Sequence, residues 1–320
     1  MKKEKILVTI FIPVYNGEKY LHKTLTSIKN QTYQHIEVLV VDDSSEDSSL
    51  LILNNFASKD ERFKIFVKEN GGMVSKSINF ILPNIKGDFF FYSSQDDIFS
   101  ENLIEKMVNR HIETKANCVL PDMEYFFEER INNKRIIGLN GDRSVILSGK
   151  EALIQSLNWN IHGAALFHSN LVKSEKFPED AFDSDEYITR KIFSKSNKIV
   201  FSEGVFFYRQ DNLNAITKTF CVKNFYRLNT SIKLYELLFS VNVGEKYLLN
   251  QKINIIIEFL QYKQKAKRYN FSSLDEKMKV FFFLATFKKE VLENKFHIKN
   301  INVSLLVLKI KKRILFYRKQ

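Results

Sequence analysis

A chain of 320 residues, 44% hydrophobic and 27% charged, can bury a sizeable core and lacks the composition of a disordered or fibrous protein. Four Pro and ten Gly exclude a long flexible linker, and no stretch reaches the roughly 18 apolar residues of a membrane-spanning helix. The net charge of +12 sits in residues 220–320, which hold 21 Lys+Arg against 7 Asp+Glu and leave 28 basic and 30 acidic residues for the rest; this excludes nucleic acid as the main domain's partner and assigns any anionic partner to the tail.

Lys2, Lys3 and Lys5 precede an apolar run, Ile6–Pro13, but Pro13, Tyr15 and Asn16 interrupt it, and no small-residue cleavage site follows. It reads as a buried parallel strand rather than a leader. Glu18–Asn30 places Tyr20, Leu21, Leu25 and Ile28 on one helical face. His35–Val41 reads as a second strand. Ser44 with Asp47 resembles a capping box opening a helix through Phe56. Phe63–Val67 predicts a third strand, Val74–Leu82 a helix stopped near Pro83, Asp88–Tyr92 a fourth strand and Glu101–Thr114 a helix. Farther on, Gly138–Gly141 reads as a turn, Lys150–Leu157 and Glu186–Phe193 as helices, and Ile199–Tyr208 as a strand. Beyond Val222 the pattern is helical, around Phe225–Phe239, Lys246–Tyr262, Leu274–Glu293 and Val303–Tyr317. The two lone cysteines, Cys118 and Cys221, match no metal-ligand spacing and suit a reducing, cytoplasmic compartment.

Strands alternating with helices predict an α/β fold with a mostly parallel, doubly wound central sheet, whose ligands bind beyond the carboxyl ends of the strands. The loops at those ends are Pro13–Gly17, Asp42–Ser45, Glu69–Gly72 and Ser94–Asp97. Loops favour such residues anyway, but four of them converge on one edge. Asp96 and Asp97 offer adjacent carboxylates suited to Mn²⁺ or Mg²⁺. The same acids also suit the first turn of the helix that follows.

Ile12-Pro13-Val14-Tyr15-Asn16-Gly17-Glu18-Lys19-Tyr20-Leu21, then Asn30-Gln31-Thr32-Tyr33 and Glu37-Val38-Leu39-Val40-Val41-Asp42-Asp43-Ser44-Ser45, resemble the opening of inverting glycosyltransferases of family 2, with the GT-A fold. Asn70-Gly71-Gly72, Gly87-Asp88, Phe177-Pro178-Glu179, Ser184-Asp185-Glu186-Tyr187 and Tyr208-Arg209-Gln210 extend the likeness over about two thirds of the chain. The resemblance implies a GT-A domain over 1–219, with a nucleotide-binding half at 1–115 and an acceptor-side half at 116–219. A basic helical region follows at 220–320. It implies a nucleotide-sugar donor, UDP-linked in the first instance, and an acceptor hydroxyl in bacterial surface polysaccharide, lipopolysaccharide or a related glycan, free or lipid-linked. Pro13, Tyr15 and Asp43 would hold base and ribose. Ser94 stands where the family often has the first acid of its metal motif. That shifts the metal contact to Asp97 and leaves Asp96 to the ribose or metal-bound water.

By the same likeness Asp185 is the general base, with Asp183 and Glu186 as competitors; Ser184 departs from the family's usual Glu there. Trp159 could stack on a sugar and His162 hydrogen-bond it, although a core Trp and a structural His fit equally. Arg209 could reach phosphate or form a surface ion pair. The basic amphipathic segment Asn302–Gln320 suits either an anionic membrane, placing the protein at the inner face of the cytoplasmic membrane, or self-association. A nucleotidyltransferase is disfavoured, because Val14–Lys19 has one glycine where a triphosphate loop needs several. A non-catalytic, transferase-like scaffold is the remaining alternative, suggested by Ser94 and Ser184.

Overall fold

The leading apolar run becomes β1 (Val8–Val14), buried on both faces except at half-buried Pro13. Only a strand covered by helices on both sides supports such a continuous run. Pro13 donates no hydrogen bond, and the register explains why that costs nothing. The carbonyls of Phe11 and Val14 face opposite neighbours, accepting from Ser93 and Asp43, so the nitrogen of Pro13 points to the side where pairing has already ended at Phe11. The computed structural model describes residues 5–129, 134–213, 215, 218, 220–298, 300 and 309. They divide into two units, Met1–Glu179 with Ile188–Ala215, and Asp180–Tyr187 with Ile216–Gln320.

After β1 come α1 (Glu18–Lys29), β2 (Ile36–Asp42), α2 (Ser49–Ala57), β3 (Phe63–Val67), α3 (Val74–Ile81), β4 (Phe89–Tyr92), β5 (Ile98–Phe99) and α4 (Leu103–Thr114). Then follow β6 (Cys118–Phe126), β7 (Arg135–Ile136), α5 (Gly149–Ser156), β8 (Leu166–His168), α6 (Ser169–Lys173), α7 (Ser184–Lys195) and β9 (Ile199–Arg209). Among the described residues these strands form one sheet in the order β3-β2-β1-β4-β8-β6-β9-β5, with β7 on β6.

The half β3-β2-β1-β4 is parallel throughout, as the alternating pattern requires. The other half is mixed. The three-residue β8 runs antiparallel to both β4 and β6, whereas β6 and β9 are parallel. One core joins the halves: Ile10, Ile12, Val38, Val40, Phe91 and Val200 of the sheet pack with Leu21, Leu25, Leu103 and Met107 of the helices.

Two local expectations change. Ser44 and Asp47 do not form a capping box. Ser44 lies in the left-handed region at φ 59° and donates its hydroxyl to the Lys68 carbonyl. Asp47 accepts the N–H groups of Glu18 and Ser49, tying the β1 loop to the start of α2. The capping box lies instead at α5, between Ser148 and Glu151.

The second unit contains α8 (Arg227–Ser240), α9 (Glu245–Arg268) and α10 (Leu274–Phe287), the last continued by a π-helical segment, Lys288–Lys295. Their core is Phe225, Leu228, Ile255, Ile256, Phe259, Val280, Leu284 and Phe287. Segment 180–187 is fastened to α8: Arg227 pairs with Asp183, Asn229 donates to the Asp180 carbonyl at 2.6 Å, and Thr230 donates to the Phe182 carbonyl. The predicted helix Val303–Tyr317 and the basic segment Asn302–Gln320 lie outside the described residues, Lys309 apart.

Candidate active site

The carboxyl ends of β1, β2, β3 and β4 share one edge, and their loops are joined by side-chain bonds to backbone donors. Asn16 donates its N–H to Ser45 Oγ at 3.0 Å and accepts the N–H of Glu46 through Oδ1 at 2.8 Å. Gly17 donates to Ser49 Oγ at 2.8 Å. Gln95, just before the acid pair, grips Tyr15 in both directions: its Oε1 accepts the Tyr15 N–H at 2.8 Å and its Nε2 donates to the Tyr15 carbonyl at 3.0 Å. A Cβ on Gly17 would stand 2.6 Å from Gln95 Oε1, so a larger residue here would displace the amide from Tyr15. Above this scaffold the Tyr15 ring is exposed, free to lie against a flat ligand, while Pro13 stays half-buried in the strand.

Asp43 is the hub of the β2 and β3 ends. Its N–H donates to the Val14 carbonyl. Its carboxylate accepts the N–H groups of Gly71 and Gly72 at 3.0 and 3.2 Å and pairs with Lys68. The carboxylate therefore fixes the glycine loop at the sheet edge.

Asp96 and Asp97 are buried, 8 and 3% exposed. Burial, with Asp96 alongside, pushes the Asp97 carboxyl up to about 8, although the backbone N–H groups of Arg209 and Ser94 oppose the shift. Two carboxylates held together out of water are strained in just the way a divalent cation relieves. Their all-oxygen character suits a hard ion. Among the described residues no group of three His, Cys, Asp or Glu side chains is arranged to hold a metal. An ion here would take its remaining ligands from diphosphate and water.

Arg209, at the end of β9, is a buried brace behind this pair. Its N–H donates to Asp97 Oδ1 at 3.1 Å and its Nε to the Asp96 carbonyl at 2.8 Å. Its guanidinium reaches Glu128 and Asp211 at 3.2 and 3.1 Å, with the Tyr20 and Phe126 rings 4.5 and 4.9 Å away. The surface ion pair expected of Arg209 is thus an interior one on the arginine's side. Asn212 completes the arrangement, donating Nδ2 to Asp96 Oδ2 at 2.6 Å.

His162 is 4% exposed, its Nε2 is 2.9 Å from the Pro121 carbonyl, and burial pushes its imidazole down to about 4. It is neutral at pH 7 and enclosed. Trp159 is 54% exposed in a left-handed turn at φ 57°, with the Arg190 guanidinium 5.5 Å from its ring. Asp185 is half-buried in the first turn of α7, within segment 180–187 of the second unit. Burial, then the like charges of Asp183 and Glu186, push its carboxyl up to about 6.

Sequence reasoning missed Gln95, Lys68 and Asn212, together with Glu128 and Asp211. Gln95 carried a signal, since it lies inside the loop that holds the acids. The other four gave none, because long-range pairing assigns their roles.

Residues 9–171 match the model of the family described as Glycosyl transferase family 2. Glycosyltransferase GlyG of Streptococcus pneumoniae is 29% identical over 218 residues, 64% of this chain and 71% of that protein. An uncharacterized glycosyltransferase of Rickettsia felis is 43% identical over 182 residues, 54% of this chain but 29% of its own length. The chain therefore spans less than a third of the Rickettsia relative. Among solved structures, S. aureus TarS 1-349 in complex with UDP-GlcNAc superposes with a TM-score of 0.63 at 15% identity, covering 87% of this chain and 80% of that one. The mannosyltransferase PcManGT from Pyrobaculum calidifontis, in complex with GDP-Man and Mn²⁺, gives 0.51 at 14% identity over 97 and 88% of the two chains. At such identities the likeness is one of fold, and it is the GT-A arrangement of curled mixed sheet and flanking helices followed by a helical region. With a family model spanning half its length and that fold beneath it, the chain belongs to glycosyl transferase family 2.

Proposed function

We propose that this chain moves a sugar from a nucleoside-diphosphate donor, a UDP-sugar first among them, to an acceptor hydroxyl with inversion at the anomeric carbon. The proposed product is a bacterial surface polysaccharide, lipopolysaccharide or related glycan. The observation that carries the reading is the buried pair Asp96–Asp97, placed at the sheet edge beside the Tyr15 loop and the Asp43 hub. A ring on Tyr15 and an acceptor on Asp43 suit a base, and the acids suit the diphosphate end. The complexes of TarS with UDP-GlcNAc and of PcManGT with GDP-Man and Mn²⁺ support the donor class by analogy of fold.

In this reading Asp97 would hold Mn²⁺ or Mg²⁺, and Asp96 would be available to the ribose or to water beside the cation. When bound, the cation supplies charge neutralisation for the departing diphosphate. Arg209 holds the Asp97 carboxylate and the Asp96 backbone from behind, and Asn212 holds the Asp96 carboxylate. The acceptor oxygen bonds to the anomeric carbon as the carbon–phosphate oxygen bond breaks, and the electron pair leaves with the nucleoside diphosphate. Asp185 takes the acceptor's proton. A carboxyl pushed up to about 6 is ionised at pH 7 yet more basic than an ordinary aspartate. Trp159 offers an exposed face for the sugar chain of an acceptor. Free Cys118 and Cys221 fit action on the cytoplasmic side, where nucleotide-sugars are made.

The test is a thermal-shift screen of UDP-, GDP- and CDP-sugars with and without Mn²⁺. The expected result is a rise in melting temperature for one nucleotide class that needs Mn²⁺ and vanishes in Asp97→Ala. No shift with any of them counts against the reading.

A further inference from the structure

Helix α10 is apolar around most of its circumference but buries one side only. Val280, Leu284 and Phe287 lie in the core of the second unit. Leu274, Met278, Phe281 and Phe282 are 72, 63, 37 and 75% exposed. At about 100° per residue these four form one stripe, opposite the buried three. A single exposed leucine needs no explanation, but four large apolar side chains in line do.

The surroundings of the stripe are cationic. By the same helical geometry Lys277 and Lys279 flank it on either side, both exposed; Lys279 also pairs with Asp275 at 2.7 Å. Just before the loop into α10, α9 ends in exposed Lys263, Lys265, Lys267 and Arg268, for which no acidic partner is found among the described residues. Cations at a helix C-terminus complement its dipole, but four exceed that need. A second copy of the chain would bring the same excess of positive charge to the stripe, whereas an anionic bilayer brings the opposite charge. Among the described residues no helix is long and apolar enough to cross a membrane.

We propose that the exposed face of α10 is a membrane-docking face. Leu274, Met278, Phe281 and Phe282 seat among the headgroups and upper acyl chains of an anionic bilayer, and the basic end of α9 with Lys277 and Lys279 lies against lipid phosphates. The lysine stems flanking the stripe suit this placement, since they keep their heads in the polar layer while covering apolar surface. The surface lies wholly within the second unit.

The experiment is flotation of the full chain with vesicles of phosphatidylcholine alone or mixed with phosphatidylglycerol. The expected result is binding only to the mixed vesicles, weakened by salt. The double variant Met278→Ser/Phe282→Ser should partition at least about tenfold more weakly, since two large apolar groups leave the interface. Both side chains are exposed, so its melting temperature should match the parent's. In a Trp159→Phe background, Phe282→Trp should shift its emission to the blue on adding mixed vesicles. Undiminished flotation of the double variant, equal binding to neutral vesicles, or unchanged emission overturns the proposal. So does a stable dimer that the double variant converts to monomer, which would assign the face to self-association.

Discussion

The carboxylate of Asp97 accepts the backbone N–H of Arg209 at 3.1 Å, joining residues 112 apart in sequence. The arginine's Nε meanwhile holds the carbonyl of Asp96. One residue of β9 thus fixes both the side chain and the backbone of the acid pair, with its own side chain fully buried. Arg209→Met keeps the backbone bond and most of the packing between Tyr20 and Phe126, but leaves the Asp96 carbonyl unpaired. It should lower stability by about 2–4 kcal/mol, the range for breaking a buried charged contact. Urea denaturation reads this directly. Since Glu128 and Asp211 are partly exposed, water recovers much of their charge, and a loss near the low end is expected.

The Gln95–Tyr15 clamp predicts a coupling. Gly17→Ala puts a methyl 2.6 Å from Gln95 Oε1, so the amide must leave Tyr15. Gln95→Ala removes the same two bonds without crowding. Each change should weaken nucleotide binding by up to about thirtyfold by freeing the Tyr15 loop, at roughly 1 kcal/mol for each of the two lost bonds. Combined, they should cost little more than one alone, because both act on one contact. Calorimetric titration of the two single variants and the double variant decides it; additive losses would show that the clamp is not shared.

Asp43→Ala removes the acceptor for the Gly71 and Gly72 N–H groups and the carboxylate partner of Lys68, which keeps the Glu69 carbonyl at 2.8 Å. Amide exchange over residues 69–73 should quicken by about tenfold or more, as two charge-assisted bonds of the loop are lost. Exchange in β1 should be unaltered. A loop that stays protected would mean its turn geometry, not Asp43, holds it.

How much of this was legible follows from the range of each interaction. Ile10, Val38 and Phe91 declare themselves because parallel strands buried on both faces leave unbroken apolar runs. Pro13, Asp43 and Asp96–Asp97 are legible because the strand ends fall where those runs stop. β5, β7 and β8 have two or three residues each, too few for any period, so of the mixed half of the sheet only β9 was legible, in the run Ile199–Tyr208. The burial of Arg209 was not legible for a related reason: an arginine at a strand end reads as surface charge unless its partners, Glu128 and Asp211, are known to fold over it. His162 is similar, since its burial depends on the Pro121 carbonyl 41 residues away.

The pH dependence of transfer tests Asp185. Its carboxyl is pushed up to about 6, first by burial and then by Asp183 and Glu186. A general base works in its ionised form, so the rate should be level above pH 7 and fall about tenfold per pH unit well below 6. Asp183 lies in the left-handed turn at φ 57° and pairs with Arg227, which fixes the position of one of the two like charges. Asp183→Asn removes that charge and should lower the midpoint of the profile while transfer continues at neutral pH. Asp185→Asn should leave donor binding intact and cut transfer by about a hundredfold or more, the usual scale of a lost general base. An Asp185→Asn protein with full activity, or a parent profile flat between pH 5 and 7 (limits of roughly one unit either side of the midpoint), would move the base to another carboxylate. Glu186, on the same turn of α7, is the first to examine, and Glu186→Gln under the same titration separates the two.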